Sequence, residues 1–494
     1  MKFRIKKIGI DTYNEAVAYI RKENLLIPSL GLHLFEKTRI WKGKKEILAT
    51  LHSVDGLLEV NEVGLSRYAF EKLGLKEGDH VYLEPSPPIH SIDFVKKRLN
   101  RERCNKGEIE EIVRDISMGK YSPAELSTFI TSVHLNPFSD DELFWFIKAM
   151  VDNGKKLRHD VSPVLDKHCI GGVPGNRTSM IIVPIIASLG LRIPKTSSRA
   201  ITSPAGTADT MEVFAEVKKT SEQIMKILEK ENGCIVWGGY VQLAPADDII
   251  ISLERPLSLD VHSLMISSIL AKKIAAGSEY VVIDIPVGKW TKVKSIKEGM
   301  MLKNKLKKVA KRFEIQCNVV FTDGNAPVGK GVGPVYEAMD VLSVLKNDNP
   351  PIDLKEKSIM LAGILLEMCG YAKKGEGREI AKKEIENGRA YEKFERIRVA
   401  QGKRNVPLKR GFGIEVKAKD DGVIKEINTS AIAKIAKYAG APKDIYGGAE
   451  VFVKPGERVK RGDLLGIFYS SNKTSLEFVK KAVKNTEFFT YKLT

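Results

Sequence analysis

Extended segments alternate with helical ones through the middle of the chain, and this alternation most constrains the fold. Runs rich in β-branched residues occur at Met180–Ile186, Tyr280–Ile285 and Asn318–Thr322, separated by helical patterns and glycine-rich turns. Strands that alternate with helices are typical of a sheet with helices packed on its faces. The sequence therefore predicts an α/β lobe here.

Amphipathic helices are indicated in the segment that precedes this lobe. Asn105, Ser122 and Ser139 each stand just before an apolar periodicity, and Pro123 follows Ser122 at a first helical position. Side-chain oxygens at such positions accept hydrogen bonds from the free backbone N–H groups of a helix start. We therefore expect a helical lobe.

Two smaller modules are expected at the ends of the chain. The N-terminal residues read as short strands and turns, with an alternating pattern at 57–63, a helix signal at Ser66–Leu73 and a linker-like stretch at Glu84–Pro88. After Gly411, strand patterns near 413–418 and 451–454 alternate with Pro-Gly and Gly-Asp turns. The predicted domains are a β-rich assembly module at 1–84, a helical lobe at 91–160 completed by about 247–278, an α/β phosphate-binding lobe at 161–246 and 279–412, and an α+β module at 413–494.

Composition excludes several classes of protein. Of 494 residues 43% are hydrophobic and 29% charged, a balance typical of soluble globular proteins. We find no uncharged apolar run of membrane-spanning length and no secretory signal. The five cysteines are far apart and include no Cys-x-x-Cys pair, which argues against a zinc site or a disulfide framework. We expect a cytoplasmic protein without a cofactor or a metal.

The net charge of +18 favours an anionic partner, either nucleic acid or a phosphorylated small molecule. Basic residues are interleaved with acidic ones and not with aromatics, so a solvated surface explains them better than a nucleic-acid interface. We expect no nucleic acid and no membrane as partners. Four glutamines beside many Lys, Glu and Ile residues suggest a thermophilic source.

The first motif that could carry chemistry is Asp-Lys-His-Cys-Ile-Gly-Gly-Val-Pro-Gly-Asn-Arg-Thr-Ser at 166–179. Three glycines precede a helix expected to begin near Thr178. Glycine lets backbone amides approach an anion, and a helix N-terminus adds free donors. The motif lacks the Gly-Lys-Ser/Thr ending of a P-loop, so nucleoside triphosphate hydrolysis is not supported. A tight structural turn is the alternative.

Two further motifs are rich in hydroxyl groups. Residues 196–209 contain six hydroxyls and Arg199, which suit ribose or phosphate oxygens, although such loops also cap their own backbone. In 259–273 the residues Asp260, Leu264, Ser268 and Lys272 recur every four positions, so they lie near one helix face. That face could line a site or simply be solvated.

Two remaining segments are weaker signals. Lys289, Lys292 and Lys294 follow an apolar strand and could bind a phosphate or form a basic surface turn. The glycine-rich run at 328–334 lacks the strand, turn and helix context of a dinucleotide site, so we interpret it as a structural turn.

In their order along the chain, these segments resemble the thymidine and pyrimidine-nucleoside phosphorylase family. The matching pieces are Lys167-His168 before Gly171-Gly172, Ser197-x-Arg199 with Gly206-Thr207-x-Asp209, and Ser268-x-x-x-Lys272. The N-terminal module and the sequence of residues 197–212 are most similar to one branch, the archaeal AMP phosphorylases. The resemblance implies a helical lobe and a mixed-sheet α/β lobe with the active-site cleft between them, in a homodimer or larger homo-oligomer.

The resemblance also implies roles for individual residues. Asp260 is expected to donate a proton to the leaving base, with His168 as the alternative donor. The expected phosphate-binding residues are Lys167, Ser179, Ser197 and Thr207. The expected substrate-binding residues are Gly172, Ser198, Arg199, Ala200, Ile201, Thr202, Ser203, Thr207, Ser268, Lys272 and Lys292.

The chain departs from the thymidine enzymes at positions that bear on the substrate. Leu253 stands where those enzymes carry an arginine that grips the pyrimidine, and Lys289 and Lys292 replace small and aromatic residues. Cys169 and Ile170 replace two hydroxyl residues of the phosphate motif. We therefore expect the substrates to be inorganic phosphate and nucleoside 5′-monophosphates (AMP, and also CMP and UMP), cleaved to free base and ribose 1,5-bisphosphate.

Three alternatives remain open. A nucleoside phosphorylase that needs no 5′-phosphate is the first. A phosphoribosyltransferase of related architecture would need acidic residues to hold Mg²⁺, and the 166–179 segment offers Asp166 alone. A nucleic-acid-binding protein, suggested by the net charge, would lose affinity steeply as salt rises.

Overall fold

The computed structural model describes residues 1–12, 15–26, 31–200, 203–257, 259 and 261–493. They form two compact units, Met1–Asn153 with Ala246–Ser263, and Gly154–Pro245 with Leu264–Thr494. Within these described ranges, no helix combines the length and the apolar character needed to cross a bilayer. The boundaries expected for four smaller domains stay a prediction.

The first unit begins with a closed six-stranded barrel. Its strands are β1 (Lys2–Lys7), β2 (Val17–Arg21), β3 (Lys37–Lys42), β4 (Lys45–Val54), β5 (Glu62–Leu65) and β6 (His80–Pro85). Their order around the barrel is β1-β5-β2-β4-β3-β6, with parallel pairing of β1 to β5 and of β2 to β4. The barrel encloses a hydrophobic core of its own.

Local signals in this module are confirmed in part. Helix α1 (Arg67–Leu73) occupies the predicted position, and Ser66 caps it by accepting a hydrogen bond from the Ala69 amide. The alternating pattern at 57–63 does not form one strand, because residues 57–61 form bends and turns and β5 begins at Glu62. The backbone turns there, as the hydrogen bond from the Glu62 amide to the Glu59 carbonyl shows.

The predicted helical lobe is confirmed. Its helices are α2 (Ser91–Leu99), α3 (Lys106–Ser117), α4 (Pro123–Leu135) and α5 (Asp140–Asp152). Asn105, Ser122 and Ser139 each form a capping box, in which the cap side chain and the acidic residue three positions on satisfy each other's backbone amides.

Five parallel strands organise the second unit. They are β7 (Leu165–Cys169), β8 (Ile193–Ser197), β9 (Gly233–Trp237), β10 (Tyr280–Val287) and β11 (Gln316–Asp323). Three pair in the order β11-β10-β7, β8 pairs with β9, and a parallel bridge from Val164 to Arg192 joins the two groups. The predicted α/β sheet is therefore confirmed.

One expected extended run is a helix. Met180–Ile186 lies within α6 (Thr178–Ser188), and every residue of the run is buried. A helix that is buried all round is apolar all round, so its sequence cannot be told from a buried strand by periodicity. The later helices are α7 (Thr207–Glu212), α8 (Ser221–Glu231), α9 (Gly238–Val241), α10 (Pro245–Leu257), α11 (His262–Ala275), α12 (Ile296–Arg312), α13 (Pro334–Lys346), α14 (Ile352–Met368), α15 (Gly377–Glu386) and α16 (Arg389–Ala400).

The last part of the chain is an α+β arrangement with two antiparallel sheets. The elements are β12 (Gly331–Val332), β13 (Phe412–Lys417), β14 (Gly422–Ile427), α17 (Thr429–Tyr438), β15 (Gly448–Val451), β16 (Arg458–Val459), β17 (Leu464–Ser470), α18 (Lys473–Lys484) and β18 (Phe489–Leu493). The sheets have the orders β12-β15-β17-β13 and β16-β14-β18. Of the strand expected near 451–454, Val451 alone is in β15.

Candidate active site

The motifs of the second unit follow the carboxyl ends of its parallel strands. β7 leads into the glycine-rich loop, β8 into the hydroxyl-rich loop, and β10 into the segment with Lys289 and Lys292. Parallel strands end at the same edge of a sheet, and that edge is where α/β sheets bind ligands. The topology therefore places three separate motifs at one edge.

Backbone conformation explains the glycines of the first loop. Gly171, Gly172 and Gly175 have φ values of +94°, +90° and +75°, which side chains strongly disfavour. A Cβ at Gly172 would lie 2.7 Å from the backbone nitrogen of Lys292. The loop therefore packs directly against the segment that carries Lys292.

Lys167 connects the end of β7 to the start of α6. Its side chain is 1% exposed, and its Nζ donates a 2.6 Å hydrogen bond to Oγ1 of Thr178. Burial lowers the pKa of this ammonium, because desolvation disfavours the charged form, and an anion bound beside it would oppose that effect. Ser179, also buried, follows in the first turn of α6.

A carboxylate lies beside Lys167. Asp284 of β10 has Oδ2 at 2.9 Å from Nζ of Lys357 and 3.1 Å from Nδ2 of Asn176, and its Oδ1 accepts from Thr322 at 2.6 Å. No motif in the sequence had indicated this group. Asp284 could have been noticed as a charge within an apolar strand, whereas Lys357 carries no local signal.

His168 has a cationic neighbourhood. Burial, and then the charges of Lys273 and Lys195, lower its pKa well below the ordinary histidine value. Its imidazole is therefore neutral at neutral pH, which argues against an imidazolium as the acid. Two positions earlier on β7, Asp166 pairs with Lys273 of α11 at 2.5 Å.

The hydroxyl-rich loop is folded around Asp209. Its Oδ2 accepts hydrogen bonds from the amides of Ala200 (2.6 Å) and Gly206 (2.8 Å). Arg199 pairs with Asp209 at 2.9 Å and with Glu212 at 2.6 Å, so two carboxylates share its charge. Asp209 was expected as part of the motif, but this role in folding the loop was not predicted.

The expected substrate residues of this loop differ in exposure. Ser198 is exposed, Ser197 is half-buried, and the Ser203 hydroxyl donates to the Ala205 carbonyl at 2.6 Å. Thr207 accepts from Arg177 at 3.2 Å, which ties this loop to the glycine-rich one. Ile201 and Thr202 lie outside the described residues.

Ser268 and Lys272 are half-buried on α11, one turn apart as expected. The pair between Asp166 and Lys273 fixes this helix to β7 beside Lys167. Asp260, the expected proton donor, lies outside the described residues.

The two lysines of the fourth motif have different surroundings. Lys289 is exposed and pairs with Glu426 at 2.7 Å, whereas Lys292 is half-buried beside the glycine-rich loop. Across the described part of the chain, no three His, Cys, Asp or Glu side chains are grouped to hold a metal ion.

Comparison with known proteins identifies the family. Residues 92–154 match the family described as "Glycosyl transferase family, helical bundle domain", and residues 161–391 match "Glycosyl transferase family, a/b domain". A protein of Albidiferax ferrireducens named "Putative thymidine phosphorylase" is 41% identical over 99% of this chain and 95% of its own. A Legionella pneumophila protein of the same name is 41% identical over 96% and 92%.

A solved structure shares the fold. Anthranilate phosphoribosyltransferase from Thermus thermophilus superposes with a TM-score of 0.54 at 20% identity, covering 63% of this chain and 99% of its own. The long relatives and the two domain matches in chain order lead to one conclusion: the chain belongs to the glycosyl transferase family that combines a helical bundle domain with an a/b domain.

Proposed function

We propose that the protein is a nucleoside-monophosphate phosphorylase. An oxygen of inorganic phosphate attacks C1′ of a nucleoside 5′-monophosphate such as AMP, and the bond from C1′ to the base nitrogen breaks. The products are the free base, which takes up a proton, and ribose 1,5-bisphosphate. The names of the relatives support phosphorolysis as the class of reaction.

The arrangement of the phosphate loop suits this reaction. C1′ becomes cationic as the base leaves, so an attacking phosphate stabilises the charge that develops. The enzyme must then hold two anions and the sugar in line, which is catalysis by positioning and by fixed charges. Lys167, the glycine-rich backbone and the start of α6 offer such a cradle for inorganic phosphate.

The observation that carries the choice of a 5′-phosphate substrate is the contact between Gly172 and Lys292. A side chain at Gly172 would collide with the Lys292 backbone at 2.7 Å, so the backbone that carries this lysine lies beside the phosphate loop. A second cation there suits a second phosphate group on the substrate. Lys289 is less suited, because it is exposed at the surface whereas Lys292 is half-buried.

The leaving base needs one proton, and Asp260 is our proposed donor. His168 is the weaker candidate because burial, and then its cationic neighbours, lower its pKa and keep it neutral. Asp260→Asn should lower kcat on AMP by roughly 10²-fold or more, since general acid catalysis contributes about 10²–10⁴-fold. Steady-state kinetics on a variant with wild-type circular dichroism measures this, and wild-type turnover would transfer the role to another group.

The test of the function is a product assay with AMP, CMP, UMP, adenosine, uridine and thymidine, each with and without inorganic phosphate and with EDTA. Losing one partner of a desolvated charge pair costs about 2–5 kcal/mol, or roughly 30-fold to a few thousandfold. We expect AMP to exceed adenosine in kcat/KM by at least that margin, in a phosphate-dependent and EDTA-resistant reaction.

Lys292→Ala and Lys289→Ala make a matched pair for this assay. Lys292→Ala should reduce the preference for AMP over adenosine by lowering kcat/KM for AMP alone. Lys289→Ala should leave this preference unchanged. The relatives' names favour a second function, phosphorolysis of unphosphorylated nucleosides such as thymidine. Thymidine or adenosine turnover equal to that of the monophosphates would establish that function and refute ours.

A further inference from the structure

Asp284 is a buried carboxylate next to the proposed phosphate site, where a negative charge opposes the binding of an anion. Its Oδ2 lies 3.9 Å from Nζ of Lys167. We propose that Lys357 is a positioning residue of the phosphate site: by pairing with Asp284, it leaves the ammonium of Lys167 available to inorganic phosphate. The inference rests on the proposed function in so far as this site binds phosphate.

The contacts divide the two lysines between different partners. Nζ of Lys357 lies 2.9 Å from Asp284 and donates to Oγ1 of Thr322 at 2.9 Å. Thr322 in turn donates to the other carboxylate oxygen at 2.6 Å. Lys167 is beyond hydrogen-bond distance of Asp284 and donates to Thr178. Lys357 therefore holds the carboxylate, and Lys167 stays at the start of α6.

Burial and the two lysines have opposite effects on the ionisation of Asp284. Lys167 and Asp284 are at most 1% exposed, and the Lys357 side chain is 9% exposed. Burial disfavours ionisation of Asp284, but Lys357 and then Lys167 outweigh it and keep the pKa of the carboxyl below its usual value. Two ammoniums and one carboxylate leave one positive charge for an anion.

Removing Lys357 would cancel that charge. A buried carboxylate requires a partner, and Lys167 is the cation already within 4 Å of it. Lys167 would then be drawn to Asp284 and away from the glycine-rich loop. Removing Lys357 should weaken the binding of inorganic phosphate more than the binding of the nucleotide, because Lys357 contacts Asp284 and Thr322 at the phosphate end of the site.

The experiment is calorimetric titration of full-length variants with inorganic phosphate alone. We expect Lys357→Met to weaken the affinity for inorganic phosphate about tenfold or more, as loss of one charge-assisted interaction does. Asp284→Asn should bind phosphate at least as tightly as the wild type. The double variant, Lys357→Met with Asp284→Asn, should have close to the wild-type affinity for phosphate, because both charges are gone. Lys357→Arg should retain most of the affinity, because it keeps the positive charge.

This order distinguishes charge balance from structural damage. Lys355→Met is the control. Lys355 lies on the same helix, but its ammonium donates a hydrogen bond to Asn347, so this variant should bind phosphate as the wild type does. If Lys357→Met fails to fold, the double variant still tests the proposal against Asp284→Asn. Equal weakening by both single variants, no change in Lys357→Met, or no phosphate binding by the wild type would overturn it. Absence of base release from every nucleotide would instead refute the proposed function.

Discussion

At the scale of single residues, Gly171 and Gly172 offer a test of the phosphate loop. Both have positive φ, so alanine strains both, but a Cβ has no neighbour within 4 Å at Gly171 and meets the Lys292 backbone at Gly172. We expect Gly172→Ala to lower kcat/KM for AMP by roughly 10–100-fold more than Gly171→Ala, since small misplacements are costly. Equal losses in the two variants would mean that backbone strain, and not contact with the Lys292 segment, limits activity.

Asp340 supports a pH prediction. It accepts hydrogen bonds from the amides of Gly331 (2.6 Å) and Lys330 (2.7 Å). Burial, aided by Glu450 and Asp353, raises its pKa to about 6. The folded state thus binds this proton more tightly than the unfolded state does. Its contribution to stability is complete below the ordinary value of 3.8 and is lost as pH rises through about 6.

Asp340→Asn should remove this dependence, because an amide oxygen can accept the same hydrogen bonds without ionising. Urea unfolding of both proteins at several pH values measures the difference. The variant should gain about 2–3 kcal/mol relative to the wild type between about pH 4 and pH 7. A difference that stays constant across this range would show that Asp340 does not titrate there.

How much of the site the sequence predicts depends on separation along the chain. The glycine-rich loop and the hydroxyl-rich loop are contiguous segments, so residue types and spacing were enough to single them out. Asp284 and Lys357 meet only in the folded chain, and Lys357 lies within helix α14, where no motif surrounds it. The contact between Gly172 and Lys292 likewise joins two motifs that lie far apart in the sequence.

At the scale of elements, local rules succeeded where the signals are local. The three capping boxes of the helical lobe satisfy backbone amides within four residues, and their cap residues, Asn105, Ser122 and Ser139, were predicted from sequence. The run in α6 was assigned wrongly because complete burial removes the periodicity that identifies a helix. Tertiary surroundings, and not propensity, determine such a segment.

One ion pair joins two elements that carry the proposed site. Asp166 on β7 and Lys273 on α11 are at most 1% exposed. Lys273→Met should destabilise the protein by about 3–5 kcal/mol, because it leaves a buried carboxylate unpaired. Chemical denaturation measures the loss, and adding Asp166→Asn should recover much of it. If the double variant is as unstable as Lys273→Met, packing of the lysine stem and not its charge is responsible.

At the scale of the whole molecule, the closed barrel is the feature that sequence reasoning could not specify. Alternation indicated strands in the N-terminal module, but β1 pairs with β5 and β2 with β4, and no turn between neighbours encodes those parallel pairings. The barrel has its own hydrophobic core, so its apolar side chains are buried without the α/β sheet. We interpret it as an assembly module.

Deletion of residues 1–84 tests that interpretation. The strands of the site, β7 to β11, belong to the second unit, so a folded product should keep measurable phosphorolysis. Light scattering should give a particle with fewer protomers than the full-length protein, with AMP kinetics measured on the same fractions. A truncated protein with an unchanged number of protomers and full activity would show that the barrel has another role. A folded product with no activity would show instead that the barrel acts in catalysis.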